Sequence, residues 1–130
     1  MNQWIATDFR SNLKAGLLCA VLVAAPLAVA EDAPPSYMAF PDVYKLVQEN
    51  EHFRVIEATW QPGQKDVMHS HLPAVIYWMT DCRLSADLPD GKRIEGAQKA
   101  GTSRINPAVP GHVATNMGTN TCKALLVERK

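Results

Sequence analysis

The sequence lacks any excess of charge, since 13 lysines and arginines stand against 13 aspartates and glutamates. This balance gives no reason to expect nucleic acid or an anionic membrane as a partner. Internal repeats, blocks of like charge and helical periodicity beyond about one turn are also missing. These absences predict one small domain with little helix, and they leave a small-molecule ligand as the expected partner.

The first thirty residues lack the features of a folded segment and have those of a secretory signal peptide. A basic beginning leads into an apolar run over residues 15–25, and residues 28–30 form an A-x-A cleavage motif before the polar Glu31. A transmembrane anchor is the alternative, but the apolar stretch contains a proline and is shorter than the ~20 residues that span a bilayer. We therefore expect export to the periplasm or the medium, with no membrane attachment after cleavage.

Cysteine is scarce, with three in the whole chain. Cys19 leaves with the predicted signal peptide, so Cys82 and Cys122 remain. An exported protein meets an oxidising compartment, where two cysteines can form a disulfide.

The remaining sequence predicts many short strands separated by regular turns. Residues 31–50 carry three early prolines and are interpreted as a leader, with a short strand or one helical turn over residues 42–47. The domain proper is placed at residues 51–130. Its strands are predicted at residues 53–60, 84–88, 93–95, 104–106, 112–117 and 121–128, and one further strand carries residues 69 and 71 and continues to residue 79, before a strand end at residues 81–82. This pattern favours a β-sandwich or a β-barrel.

Three of the four histidines form the most informative pattern. His69 and His71 are two apart on a predicted strand, so they share a face at a Cα spacing of about 6.6 Å. His112 can complete a three-histidine metal site, whereas His52 has no histidine near it. The pair may be read more simply as polar surface residues. The apolar flanks argue against that alternative, because a buried imidazole needs a partner.

The spacing around the histidine pair resembles the first motif of the cupins. In that motif a glycine, five residues and His-x-His are followed by a glutamate. Gly63 is followed by five residues and then by His69-Ser70-His71, but the glutamate positions hold Val75 and Ile76. The usual carboxylate ligand is therefore missing.

A second stretch is similar to the second cupin motif. Gly101 is followed after five residues by Pro107, then by His112 and Asn116 at the motif spacing. The motif's second glycine is replaced by Val109. The two motifs together identify the chain as a suspected small single-domain cupin, similar to short cupins associated with β-alanine degradation.

This resemblance implies a double-sheet jelly roll with a metal inside the barrel. In such a jelly roll the strand with the histidine pair lies beside the last strand and antiparallel to it. That arrangement implies a disulfide between Cys82 and Cys122. The resemblance also implies one divalent ion, with iron, zinc, nickel, copper or manganese as options.

Four further residues are pocket candidates. Tyr77 and Met79 share the parity of the histidine pair along the predicted strand, although ordinary core packing is the alternative. Arg104 can pair with a substrate carboxylate, or it is a surface or ion-pair arginine. Asn116 shares the face of the third histidine and is expected to be a structural hydrogen bonder.

Three functions remain open. The leading hypothesis is metal-dependent chemistry on, or binding of, a small anionic organic molecule, with an oxygenase first among enzyme classes. The others are a non-catalytic ligand- or metal-binding module and a metal-free structural cupin. A homodimer is one expected assembly.

Overall fold

The structure, a computed structural model, describes residues 31–130. These residues form nine strands and one short helix, as expected for an all-β domain. The elements are α1 (Ser36–Ala39), β1 (Tyr44–Glu49), β2 (Phe53–Trp60), β3 (His69–His71), β4 (Ala74–Trp78), β5 (Cys82–Asp87), β6 (Arg93–Gln98), β7 (Ser103–Asn106), β8 (Val109–Asn116) and β9 (Cys122–Arg129). The predicted signal peptide and Cys19 lie outside this range. Within it, no helix has the length and apolar character needed to cross a membrane.

The strands form two antiparallel sheets. The five-stranded sheet has the order β1-β2-β9-β4-β7, and the four-stranded sheet has the order β3-β8-β5-β6. Both sheets contribute buried side chains to one core. This is the double-sheet jelly roll that the sequence predicted.

Strands β2 and β9 form the best-buried part of the five-stranded sheet. They pair without interruption from Phe53 opposite Arg129 to Trp60 opposite Cys122. Alternate residues of both strands are buried, because side chains on a strand point to opposite faces in turn. The core cluster comprises Val43, Tyr44, Ile56, Ala58, Trp60, Trp78, Cys82, Ala114, Cys122, Ala124 and Leu126.

The segment interpreted as a leader contributes directly to the domain. The strand expected near residues 42–47 is β1, which pairs with β2. Its first residue, Tyr44, is only 1% exposed and belongs to the core. Residues 31–50 therefore supply a core side chain as well as an edge strand.

Just before α1, residues 33–35 form an N-terminal strap beside β3. The Ser70 amide donates to the Pro34 carbonyl at 2.8 Å, and the Ala33 amide donates to the Pro110 carbonyl at 2.9 Å. Pro35 also forms a parallel bridge with Ser70. The strap thus covers the edge of the four-stranded sheet at the histidine strand.

The predicted long histidine strand is interrupted at Pro73. β3 belongs to the four-stranded sheet, whereas β4 belongs to the five-stranded sheet. Proline cannot donate a ladder hydrogen bond, which fits a break at this position. Because the chain changes sheets here, the alternation of faces does not continue from β3 into β4. Tyr77 and Met79 are consequently 46% and 45% exposed.

The Cys82–Cys122 disulfide predicted from the sequence is present, with Cα atoms 5.0 Å apart. It joins the first residue of β5 to the first residue of β9 and so links the two sheets. The strands beside β9 are β2 and β4, while β3 pairs with β8. The bond is thus confirmed, although the neighbour of the last strand is not the strand with the histidine pair.

Candidate metal centre

The structure brings the three predicted histidines together. His69 and His71 lie on β3, and His112 lies on the adjacent β8, directly opposite His69. One nitrogen atom from each ring lies within 4.8 Å of the other two. His52 remains apart, with its exposed ring beside Glu51.

His69 is fully buried, and its hydrogen bond defines its tautomer. Nδ1 lies 2.7 Å from the Val67 carbonyl oxygen. A carbonyl oxygen only accepts, so Nδ1 carries the hydrogen and donates it. Burial lowers the pKa of His69, which keeps the ring neutral. Its Nε2 atom therefore presents a lone pair to the centre of the cluster.

His71 is oriented by a buried carboxylate. Its Nδ1 atom lies 2.8 Å from Oε1 of Glu128, whose side chain is 2% exposed. A carboxylate accepts the Nδ1 hydrogen, so the Nε2 atom of a neutral His71 also carries a lone pair. A carboxylate behind a ligating histidine is a recurrent arrangement in metal sites, where it fixes the ring.

Glu128 is itself held in place from its other side. Arg54 donates to Oε2 of Glu128 at 3.2 Å and to Glu49 at 3.0 Å. The Arg54 guanidinium also lies 4.6 Å from the centre of the Tyr37 ring, within the range of a cation–π contact. These contacts give the carboxylate behind His71 little freedom to move.

His112 has a free ring and lines a cavity. No hydrogen bond joins its side chain to another of residues 31–130, and its ring centre lies 4.4 Å from that of His69. Burial and the neighbouring imidazoles lower the pKa of His112 to about 3. This ring is therefore neutral, and a nitrogen lone pair is available to a ligand.

A tyrosine from β1 also reaches the histidine cluster. Tyr44 donates its hydroxyl hydrogen to Oδ2 of Asp66 at 2.8 Å, and its oxygen lies 3.0 Å from Nε2 of His69. Asp66 also accepts from the Trp60 indole at 3.2 Å and from the Ala114 amide at 2.6 Å. Burial raises the pKa of Tyr44, so the phenol stays protonated with its hydrogen on Asp66.

These atoms fit a metal ion by both chemistry and spacing. The Nε2 atoms of His69 and His71 are 3.0 Å apart, and neither carries a hydrogen when the rings are neutral. Facing lone pairs repel each other, and a cation between them, either a metal ion or a proton, removes that repulsion. Two nitrogen ligands about 2.0–2.1 Å from one ion are separated by roughly 3 Å at adjacent coordination positions. His69, His71 and His112 would hold the ion.

The cluster borders a cavity of about 190 Å³ between the two sheets. His71 and His112 form part of its wall, and Arg104 reaches it from β7. The remaining wall is largely apolar, with Ile76 and Trp78 from β4 and further side chains from β5, β6 and β9. The Trp78 indole nitrogen is buried and has no hydrogen-bond partner among residues 31–130.

The other three pocket candidates do not line the cavity. Tyr77 and Met79, which strand parity assigned to the pocket, do not line the cavity, because β4 presents Ile76 and Trp78 to it instead. Asn116 is buried and structural. Its side-chain amide donates to the carbonyls of Trp60, Gln61 and Asn120.

The two departures from the motifs also have structural counterparts. Of the two positions without the glutamate, Ile76 lines the cavity and Val75 is 43% exposed on the opposite face. Val109 begins β8, and no residue other than glycine has a positive φ within residues 31–130. The retained motif glycines, Gly63 and Gly101, have φ of +72° and +80°, a conformation that glycine adopts readily.

Comparisons with known proteins define the fold. No family model matches the sequence, and no curated protein matches it. Solved structures do match. A cupin domain from Bordetella pertussis is 22% identical, covers 78% of this chain and 99% of its own, and has a TM-score of 0.62.

Two further structures agree. An RmlC-like cupin family protein with a double-stranded β-helix fold from Methanocaldococcus jannaschii is 13% identical, covers 67% of this chain and 78% of its own, and has a TM-score of 0.53. A protein with a double-stranded β-helix domain from Klebsiella pneumoniae is 22% identical, covers 65% and 73%, and has a TM-score of 0.52. At these identities the likeness shows the fold alone: the chain has the cupin double-stranded β-helix fold.

Proposed function

We propose that this protein is an exported cupin that holds one divalent metal ion through His69, His71 and His112. The observation that carries the proposal is the convergence of three imidazoles, of which His69 and His71 commit their Nδ1 hydrogens to other partners and so direct lone pairs to the centre. Imidazole ligands suit iron, zinc, nickel, copper and also manganese. A metal with three protein ligands keeps open positions, at which it can polarise or activate a bound molecule.

The ligand is proposed to be a small organic anion. The cavity of about 190 Å³ is below the ~300–1,000 Å³ typical of pockets for drug-sized molecules. Three neutral imidazoles leave the charge of the ion uncompensated. Arg104 adds a second positive charge and has no ion-pair partner among residues 31–130, whereas Glu95 at the same wall lies near Arg83. The unpartnered Trp78 indole can donate to a ligand oxygen.

The experiment that tests this proposal is elemental analysis of protein purified from its native compartment. We expect close to one metal ion per chain, and loss of most of it when any one of the three histidines is replaced by alanine. His52→Ala is the matched control, because this exposed ring lies outside the cluster. Equal metal content in wild type and in the triple-histidine variant would refute the metal site and leave the metal-free structural cupin as the remaining hypothesis.

The enzyme hypothesis and the binding-module hypothesis differ in whether the bound molecule is converted to a product. If the ion is iron, a small thiol or carboxylate added under air is expected to consume oxygen, and an oxygenase is then the assignment. If the ion is zinc, we expect ligand binding without oxygen uptake, which favours a binding module. An association with β-alanine breakdown stays a prediction of the sequence resemblance.

Export is proposed from the signal-like residues 1–30, and the disulfide is consistent with an oxidising compartment. The mature chain is expected to begin at Glu31. Intact-mass measurement of the protein from the periplasm or medium checks this, and a mature form that keeps residues 1–30 would contradict it.

A homodimer is proposed through the outer face of the five-stranded sheet. Val75 lies opposite Ile105 on this face, and Tyr77 follows on the same strand. Their exposed fractions are 43%, 81% and 46%. A sheet with one solvated face normally alternates apolar and polar residues, so apolar residues on both faces of β4 indicate a covered surface. Ile105→Lys is expected to convert a dimer to a monomer in sedimentation analysis. A monomeric wild type would exclude the dimer.

A further inference from the structure

The hydroxyl oxygen of Tyr44 lies beside the histidine cluster, but its hydrogen is donated to another residue and not to the cluster. A hydroxyl has one hydrogen, and Tyr44 directs it to Asp66 at 2.8 Å. Asp66 is 5% exposed and accepts two further hydrogen bonds, which fix its position. The Tyr44 oxygen therefore presents lone pairs to its remaining neighbour.

That neighbour is Nε2 of His69, at 3.0 Å. Because Nδ1 of His69 carries the ring hydrogen for Val67, Nε2 also has only a lone pair in the neutral ring. Two facing acceptors at this distance do not form a hydrogen bond. The same conflict exists between His69 and His71, whose Nε2 atoms are also 3.0 Å apart. Tyr44 thus takes part in the arrangement that indicates the metal.

From this geometry we propose that Tyr44 is a fourth protein donor to the metal, and that it supplies the oxygen atom which the absent motif glutamate would provide. The proposal rests on the proposed metal site. The oxygen is placed by β1, whose pairing with β2 buries Tyr44 against Trp60 at a ring-centre distance of 5.4 Å. Asp66 is the positioning residue, because it directs the hydroxyl hydrogen away from the ion.

Cobalt(II) is a suitable probe, because its visible spectrum reports the number and type of ligand atoms. Wild type, Tyr44→Phe and Tyr77→Phe are titrated with cobalt(II), and spectra are recorded at saturation. Tyr77→Phe is the matched control, since this ring lies exposed on the outer face. We expect Tyr44→Phe to change the saturated spectrum and to weaken binding by roughly ten- to a hundredfold, the range found for groups that support metal ligands. Tyr77→Phe is expected to match wild type.

Asp66→Asn provides a second variant that keeps the tyrosine. An amide NH₂ in place of the accepting oxygen turns the Tyr44 hydroxyl hydrogen toward His69, so the oxygen no longer faces the ion. We expect a spectrum shifted in the same direction as that of Tyr44→Phe. If both variants give the wild-type spectrum and affinity, the Tyr44 proposal is overturned and the three-histidine site stands. If wild type itself binds no cobalt(II), both proposals fail together.

Discussion

The two sides of the sandwich differ sharply in how their strands are covered. On one side, β2 and β9 bury alternate residues down to 0% exposure, as at Ile56 and Ala124. On the other side, β6 and β7 are edge strands whose residues are exposed over almost their whole length. We call these the closed side and the open side.

The difference fits the proposed function, in which one small domain holds the metal-binding histidines rigidly and still admits a small molecule. The groups that orient the histidines belong to the closed side, since Glu128 lies on β9 and Tyr44, the one buried residue of the edge strand β1, lies opposite Ala58 of β2. Arg104 belongs to the open side. Rigid elements hold a site more precisely than mobile ones. The closed side therefore suits residues that position the proposed metal ion, and the open side suits the entry of a small molecule.

The largest expected effect is the loss of the disulfide that links the sheets. Its cysteines are separated by 40 positions, so the bond contributes about 4 kcal/mol in the chain-entropy picture. Replacing both Cys82 and Cys122 by alanine should lower the free energy of unfolding by about this amount in urea titrations. Metal affinity should be unchanged, because Cys122 lies roughly 20 Å along β9 from Glu128.

Reductant supplies the control for this prediction. Dithiothreitol should destabilise the wild type and leave the double alanine variant unaffected. A wild type with the same free energy of unfolding with and without reductant would contradict the disulfide's contribution.

The second prediction tests the closed side at Glu128. Glu128→Gln removes the buried negative charge that Arg54 and His71 share. Breaking such a pair costs about 3 kcal/mol of unfolding free energy. Metal affinity should also fall by roughly ten- to a hundredfold, because His71 loses its orienting carboxylate.

The control for Glu128→Gln is Glu51→Gln, whose side chain is 82% exposed. It should change neither stability nor metal affinity. Unchanged metal affinity in Glu128→Gln would show that the carboxylate supports the fold alone.

The third prediction concerns pH in the metal-free protein. The pKa of His112 is about 3 in the folded chain and ~6.5 when unfolded, so the unfolded chain binds more protons between these values. The free energy of unfolding should therefore fall as the pH is lowered from 6.5 toward 3. Urea titrations with chelator at several pH values measure this slope.

Replacing His112 by asparagine should reduce that slope. The lowered pKa of His69 leaves a dependence in the same direction. An identical slope in His112→Asn and wild type would contradict the assignment.

The smallest effect on stability is expected on the open side. Arg104→Met should change the free energy of unfolding by less than about 0.5 kcal/mol, as is usual for exposed positions. Binding of acetate or mercaptoacetate to the zinc-loaded protein should nevertheless weaken about tenfold in calorimetry. Arg129→Met is the control, because this exposed arginine ends β9 and does not line the cavity. Equal anion affinity in Arg104→Met and wild type would remove Arg104 from the ligand site.

The sequence was sufficient for the fold and the three histidines because local signals carry both. Alternating residues and turn glycines define strands, and His69 and His71 are neighbours on one strand. Pairing His112 with them required the second motif. The groups that orient the rings were missed, since Tyr44 is 25 positions from His69 and Glu128 is 57 positions from His71. No short-range pattern reports such contacts.

The sequence does contain one local signal of the break between β3 and β4. Pro73 lies between the histidine pair and the apolar run that follows, and proline seldom occupies the interior of a central strand. Reading it as a strand boundary would have separated β3 from β4. Tyr77 and Met79 would then not have been assigned to the face of the histidines.

The N-terminal strap has a consequence for solubility. An uncovered β3 would leave the edge of the four-stranded sheet free to recruit a strand from another chain. The strap takes that place with Pro34 and Pro35, which carry no amide hydrogens. A further strand would therefore meet two consecutive residues without donors. The sheet stops growing at the strand that holds the histidines, so an aggregating neighbour cannot easily deform the metal centre by adding to that edge.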